Sequence, residues 1–505
     1  MFLGIDVGTS EVKALLLDSQ HKVVAVSGSH LVVARPHPGH SEQDPASWWM
    51  ATEIALTQLK TNFPTEYSAV SAIGLSGQMH GAVLLGKNNE VLRPAILWND
   101  TRAALECTEM MAELPTLPQI AGSLAMPGFT APKLRWLAKH EPAVFSKIAM
   151  VLLPKDYIRF MLTGEHVSDM SDASGSMWLD VEKRVWSNEL LKLTGLTEAQ
   201  MPRLVEGSTA SGNLAQQVAA TLGLQAGIVV AGGAGDNASS AVGMGAVNDG
   251  EGFLSLGTSG VLFVVTPKYQ PNAASATHAF CHAVPDRWHQ MSVMLSAASC
   301  LQWVTKLLGA SSEAVLEAQA SGLNLAQRAN APLFLPYLSG ERTPHNDAVT
   351  RGSFHELSHD TDAAALAYSV IEGVSFGLAD GMRALQAAGC DVQQLSLVGG
   401  GARSALWAQQ LATLLNINVV THQESAAGGA LGAARLAWLA TGAAVADVCL
   451  APKVTKNYQP DPNERQILTP RYERFRAIYP ALKSIKPDLD NSNLTCTYSS
   501  AKEVV

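Results

Sequence analysis

One short pattern occurs twice in this chain and limits what it can become. Residues 4–10 read GIDVGTS, and residues 252–259 read GFLSLGTS. In each, an apolar strand-like run enters a Gly-Thr-Ser turn and a second apolar run leaves it. A glycine turn between strands can aim several backbone N–H groups into one concavity, which suits phosphate oxygens. An ordinary hairpin accounts for one such turn. Two of them, far apart in the chain, point to two half-sites for one nucleotide. Only the first carries a carboxylate, Asp6. A carboxylate repels phosphate, so it belongs there if a cation lies between them. Mg2+ is commonly held by one or two carboxylates together with phosphates and water.

The chain has 505 residues, long enough for two domains. Apolar residues make up 47% and charged ones 16%, which permits a large core. A net charge of -9 argues against nucleic acid or an anionic membrane as partner. Six scattered Cys show no metal spacing and no disulfide framework, so reduced thiols in a cytoplasmic protein are expected. No signal peptide is visible before MFLGIDVG, and the longest apolar stretches read as too short to span a membrane.

The first 30 residues predict a β-meander, followed by a helix in PASWWMATEIALTQLK capped by Asp44, then a buried strand in VSAIGLSG. The second half repeats that order loosely. Two strands surround the second turn, a third lies in RWHQMSVML and a helix in SAASCLQWVTKLL. A long helix near 362–389 precedes the strand LSLVGGG and the helix SALWAQQLATLL. The fold class is α/β, with mixed sheets and helices outside. The boundary falls near residue 245.

Four further stretches carry chemistry. AGGAGDNASS (231–240) places Asp236 after a glycine run and at a helix start. Capping explains it, and so does accepting a proton from a hydroxyl that attacks phosphorus. LSLVGGGARS (395–404) is either a plain strand-to-helix turn or bare backbone for a flat base. GQMHG (77–81) and LWNDTR (97–102) end apolar runs, where open α/β sheets place ligands, so His80, with Asn99, Asp100 and Asp236, becomes a candidate for sugar hydroxyls, and Asn237 beside Asp236 is counted with them. YLSGERTPHND (337–347) is too polar for a core element and reads as a cleft loop or a surface loop. Thr9, Ser10 and Lys13 add hydroxyls and charge to the first turn.

Together GIDVGTSEVK, GFTAPKLRWLAKH, GGAGDN, LSLGTSG and LSLVGGGARS resemble the FGGY carbohydrate kinases, from residue 1 to about 484. SEQDP, SGQMHGAVLL, LRPAILWND, LLPKDY, SDMSDASGSMW and LPYLSGERTPHN resemble the branch acting on the ketopentose D-xylulose. The resemblance implies two RNase H-like domains of the actin, Hsp70 and sugar-kinase type, each a mixed sheet flanked by helices, with a cleft between them. Residues 1–245 would form the sugar, Mg2+ and phosphate side, 246–485 the nucleotide side, and 486–505 a loose polar tail. It implies Asp236 as base and Asp6 as the acid that positions Mg2+, with Asp236 reaching the ion through water. Gly8–Ser10 with Lys13, Gly257, Thr258 and Ser259 would hold phosphates, and Gly400 with Gly401 the adenosine. Met79 and His80 match the family's substrate pair. Glycerol kinases carry Arg-Glu there, which argues against glycerol. The expected activity is ATP-dependent phosphorylation of D-xylulose. Ribulose or gluconate as acceptor, or a non-catalytic actin-like or chaperone-like ATPase, stay open as alternatives. The expected partners are the sugar and ATP, with a homodimer as an allowed assembly.

Overall fold

The computed structural model describes residues 1–422 and 428–485. The expected tail, 486–505, lies outside the described residues. Two seven-stranded mixed sheets organise the rest. In the first, Phe2–Val7, Glu11–Leu17 and Val23–His30 form the antiparallel meander. Phe2–Val7 also pairs in parallel with Ala72–Gly77, and Val229–Ala231 and Ala234–Gly235 extend that parallel half. The second sheet has the same plan. Gly252–Leu256, Gly260–Thr266 and Trp288–Met294 form its meander, with Gln394–Val398 and Asn418–His422 on the parallel side. Each Gly-Thr-Ser turn is the hairpin joining the first two strands of its sheet. The repeat is therefore one of architecture.

Local signals behave as their chemistry requires. Asp44 accepts from the Ala46 amide and starts the helix Pro45–Asn62. That helix buries Trp48, Ala51, Ala55, Leu56 and Leu59 in one core with the apolar residues of the meander. The helix Ala363–Ala387 corrects the reading of apolar stretches. By length and composition it could span a membrane, but 78% of its apolar window is buried inside the protein, as the core helix of the second half.

Two helices cross between the halves. Asp236–Met244 leads from the first sheet toward Gly252–Leu256. Gly428–Leu439 follows a strand of the second sheet in sequence yet packs on strands Phe2–Val7 and Ala72–Gly77 of the first. A cut at residue 245 separates the strands of the two sheets but leaves this helix on the far side. Its close approach explains two glycines inside strands. Gly4 and Gly74 are register partners, and a Cβ on either would collide with the carbonyl oxygens of Ala430 and Ala433.

The mainly helical segment 104–205 of the first half also reaches the second sheet. Tyr269 donates to the Gln119 carbonyl at 2.6 Å, and Ser123 Oγ lies 2.8 Å from His278 Nδ1. Both contacts fall beside the edge strand His278–Cys281.

Candidate active site

Three parallel strand ends lie side by side in register. Asp6 is level with Ser76, and Ser76 with Ala234; Val7 is level with Gly77, and Gly77 with Gly235. Past these ends the chain supplies Gly8–Ser10, Gln78–His80 and Asp236–Asn237. This is the carboxyl edge of a parallel sheet, where such folds hold ligands.

Asp6 is a strand residue whose Oδ1 is buried without a hydrogen-bond partner among the described residues. Burial raises its pKa, against the pull of Ser76 and Lys13. Lys13 is its cross-strand partner in the hairpin, which puts both side chains on one face. Gly429 packs against the Asp6 carboxyl, where a Cβ would come within 2.9 Å. The start of Gly428–Leu439 therefore faces this edge.

Asp236 is not a helix cap. Gly235 holds the cap position, with no side-chain cap bond, and Asp236 is the first helical residue. Among the described residues its carboxylate accepts only from Asn237, through the amide at 2.8 Å and Nδ2 at 3.0 Å. Burial, then the nearby negative charge of Asp6, pushes its pKa up to about 7. Such a carboxylate can take a proton near neutral pH.

His80 has φ of 70°, unusual for a residue with a side chain. Thr130 Oγ1 and Lys133 Nζ hold that backbone by donating to the His80 carbonyl at 3.1 and 2.9 Å. Phe129 stacks on the ring at 4.2 Å. The motif GFTAPKLRW therefore serves as the mount for His80. The Nδ1 atom lies 2.7 Å from the Gly175 carbonyl, which can only accept, so the proton is on Nδ1. Burial lowers the ring's pKa to about 3 and keeps it neutral, leaving Nε2 as an acceptor. Met79 packs on Gly235, beside Asp236; a Cβ there would come within 2.8 Å of Met79 Cγ.

Some sequence-expected residues are placed otherwise. Asp100 is buried, with Arg102 on both carboxylate oxygens and the Ser41 amide on one at 2.6 Å. Burial would raise its pKa, but these bonds outweigh it and hold it low. Each of its oxygens thus already accepts two hydrogen bonds within the protein. Thr9 donates its single hydroxyl proton to Gln78 Oε1 at 2.9 Å and accepts from Trp98 Nε1 at 3.0 Å. That hydroxyl shapes the turn and is not a donor to phosphate. Ser10 is exposed, as are Thr258 and Ser259. Asn99 Oδ1 is buried without a partner among the described residues. Of the glycine run at 399–401, Gly399 and Gly401 are required by packing on Leu256, whereas a side chain at Gly400 would meet only Arg403 at 3.7 Å. The Cα of Gly400 thus faces open space, whereas that of Gly401 faces the Leu256 side chain. In 337–347, Glu341 and Thr343 are buried despite the polar composition. Glu341 accepts from the amides of Leu295 and Arg342 at 2.9 and 2.8 Å, which fastens the loop to the second sheet.

Sequence reasoning missed Gln43 and Gln78, which with Trp98 hold the first turn: Gln43 Nε2 donates to the Thr9 carbonyl at 2.8 Å, and Gln78 Nε2 to Gln43 Oε1 at 3.1 Å. It also missed Gly429. The only sequence signal for Gln78 was its place inside GQMHG.

Comparison with known proteins agrees with this geometry. Residues 1–243 match the FGGY family of carbohydrate kinases, N-terminal domain, and residues 252–441 match its C-terminal domain. The chain is 49% identical over 484 residues to the xylulose kinase of Escherichia coli K12, covering 95% of this chain and 99% of that protein. It is 47% identical to the xylulose kinase of Klebsiella pneumoniae, covering 96% and 100%. Among solved structures, a "xyloylose kinase" from Brucella ovis superposes with a TM-score of 0.93 at 50% identity, covering 96% of this chain and all of that one. Two sheets of one plan, a carboxylate edge on the first and a glycine turn on each, joined to matches across both halves, place the chain in the FGGY family of carbohydrate kinases.

Proposed function

We propose that this chain transfers the terminal phosphoryl group of ATP to D-xylulose, giving D-xylulose 5-phosphate and ADP. The observation that carries this is the carboxyl edge of the first sheet. There Asp236, whose carboxylate is bonded among the described residues only to its neighbour Asn237, shares one row with Asp6 and with the Met79–His80 pair. The names of the relatives supply the sugar.

The roles follow from the chemistry of each group. Asp236 takes the proton of the attacking hydroxyl, whose oxygen bonds to phosphorus as the bond to ADP breaks. His80 Nε2 accepts from another sugar hydroxyl, and Met79 packs against the sugar's carbon face. The exposed Thr258 and Ser259 hold phosphate from the second half, and Ser10 from the first. Gly400 lies under the adenosine. Asp6, with a buried oxygen that has no partner among the described residues, suits a divalent cation, which it would hold together with Asp236 acting through water. When bound, Mg2+ supplies positive charge to the phosphates.

Coupled ADP release over a panel of D-xylulose, ribulose, gluconate and glycerol tests the reading. Strong stimulation by D-xylulose above the others supports it. ATP turnover indifferent to every sugar would replace it with a non-catalytic ATPase.

A further inference from the structure

Behind the carboxylate edge lies a buried ionic cluster that the reaction does not use. Lys155 Nζ is 2.8 Å from Asp169 Oδ1 and 3.2 Å from Asp172 Oδ2, and it also pairs with Asp156; all four side chains are fully buried. Arg159 pairs with Asp156 at 2.7 Å. Burying so many charges is expensive unless they are firmly paired, and a wholly apolar core would avoid that cost. Through Asp169 and Asp172 the cluster ties Lys155 to one short segment.

That segment is 169–175. Asp169 receives the Ser171 amide at 2.8 Å and the Ser171 hydroxyl at 2.5 Å on the same oxygen. With its proton committed, Ser171 Oγ accepts from the Gly235 amide at 3.2 Å. Gly235 immediately precedes Asp236 and has Met79 packed on its α-carbon. Four residues after Ser171, the Gly175 carbonyl accepts from His80 Nδ1 at 2.7 Å. One five-residue helix, Met170–Ser174, with its flanking residues, therefore touches the backbone beside Asp236 and the ring of His80.

We infer that Ser171, locked by Asp169 against Lys155, is a positioning residue that fixes Asp236 through the Gly235 amide, in register with His80 held through Gly175. The inference rests on the kinase reading and deepens it. The segment sets the distance between the group that takes the proton and the group that holds the sugar. Errors of about an ångström in such a distance cost roughly a hundredfold in rate.

The test compares two buried hydroxyls, one within the segment and one just past its end. Ser176 donates to the Ala173 carbonyl at 2.6 Å and is likewise buried, but its hydroxyl makes no hydrogen bond to Gly235 or His80 among the described residues. Ser171→Ala should lower kcat with D-xylulose about tenfold to a hundredfold while KM for ATP stays within about twofold. Ser176→Ala should leave kcat within about threefold of wild type even where it lowers Tm as much. Ser171→Thr, which keeps the hydroxyl, should recover most of the loss. Should Ser171→Ala not fold, the near-isosteric Ser171→Cys, a weak donor and acceptor, carries the same expectation. A wild-type kcat in the Ser171 variant, or an equal loss in Ser176→Ala, overturns the inference. Sugar-dependent ADP release by the wild-type chain, measured alongside, reports on the kinase reading separately.

Discussion

The two Gly-Thr-Ser turns share a sequence and a place in their sheets, yet they are built differently. The first is tied down by side chains. Gln43, Gln78 and Trp98 all bond Thr9, and Gly8 is a turn glycine whose Cβ would come within 2.8 Å of the Glu11 carbonyl. The second is held from below mainly by backbone, with the amides of Ala297 and Ala298 donating to the carbonyls of Thr258 and Gly257 at 2.9 and 2.8 Å and the Ser299 hydroxyl to the Thr258 carbonyl at 2.8 Å. Its Thr258 and Ser259 are exposed, and a Cβ at Gly257 would meet only the Ser259 carbonyl at 3.7 Å. A turn fastened through its side chains, beside two carboxylates with raised pKa, suits atoms that must be placed for chemistry. A turn with exposed hydroxyls and open space at Gly257 suits a cradle. The difference teaches that one motif can serve reaction in one half and binding in the other.

The largest effect is expected at the reacting edge. Asp236→Ala should lower kcat by about two to four orders of magnitude in coupled ADP release, the usual scale for a general base. Near-normal turnover would remove the base from the account. Asp6→Asn should lower kcat by roughly a hundredfold and raise the Mg2+ needed for half-maximal rate, with sugar affinity kept. An unchanged Mg2+ titration would separate Asp6 from the cation. On the cradle side, Gly257→Val fills open space without crowding the fold, so KM for ATP should rise about tenfold with kcat altered less. A fall in kcat alone would show that the second turn also acts on the reacting atoms. The smallest effect on catalysis belongs to Gly74→Ala, whose Cβ meets the Ala433 carbonyl. It should lower stability by about 1–3 kcal/mol in urea denaturation while the folded fraction keeps its kcat.

Much of this was legible in the sequence. The meander, the Asp44 cap, the buried strand at 72–77 and both hairpins follow from periodicity and turn chemistry. Asp6, His80 and Asp236 stand out because each ends an apolar run. What was hidden depends on contacts between distant segments. Nothing in GALGAARLAW says that a helix following the second sheet's strand Asn418–His422 will lie on the first sheet; Gly4 and Gly74 mark the place only once their register is known. Asp100 read as a sugar ligand because Arg102, two residues on, gave no sign of folding back to it. Thr9 read as a phosphate donor because Gln78 is 69 residues away. The apolar helix 363–387 was underrated because its Gly, Ser and charged residues break the run that a scan by eye expects.

The division between reaction and cradle is tested most directly by nucleotide affinity. Calorimetric titration of a non-hydrolysable ATP analogue should give Asp236→Ala a Kd within about twofold of wild type although its turnover is lost, and Gly257→Val a Kd about tenfold weaker with Asp236 intact. If Asp236→Ala loses affinity in step with turnover, or Gly257→Val binds as wild type does, the two turns do not divide the work in this way.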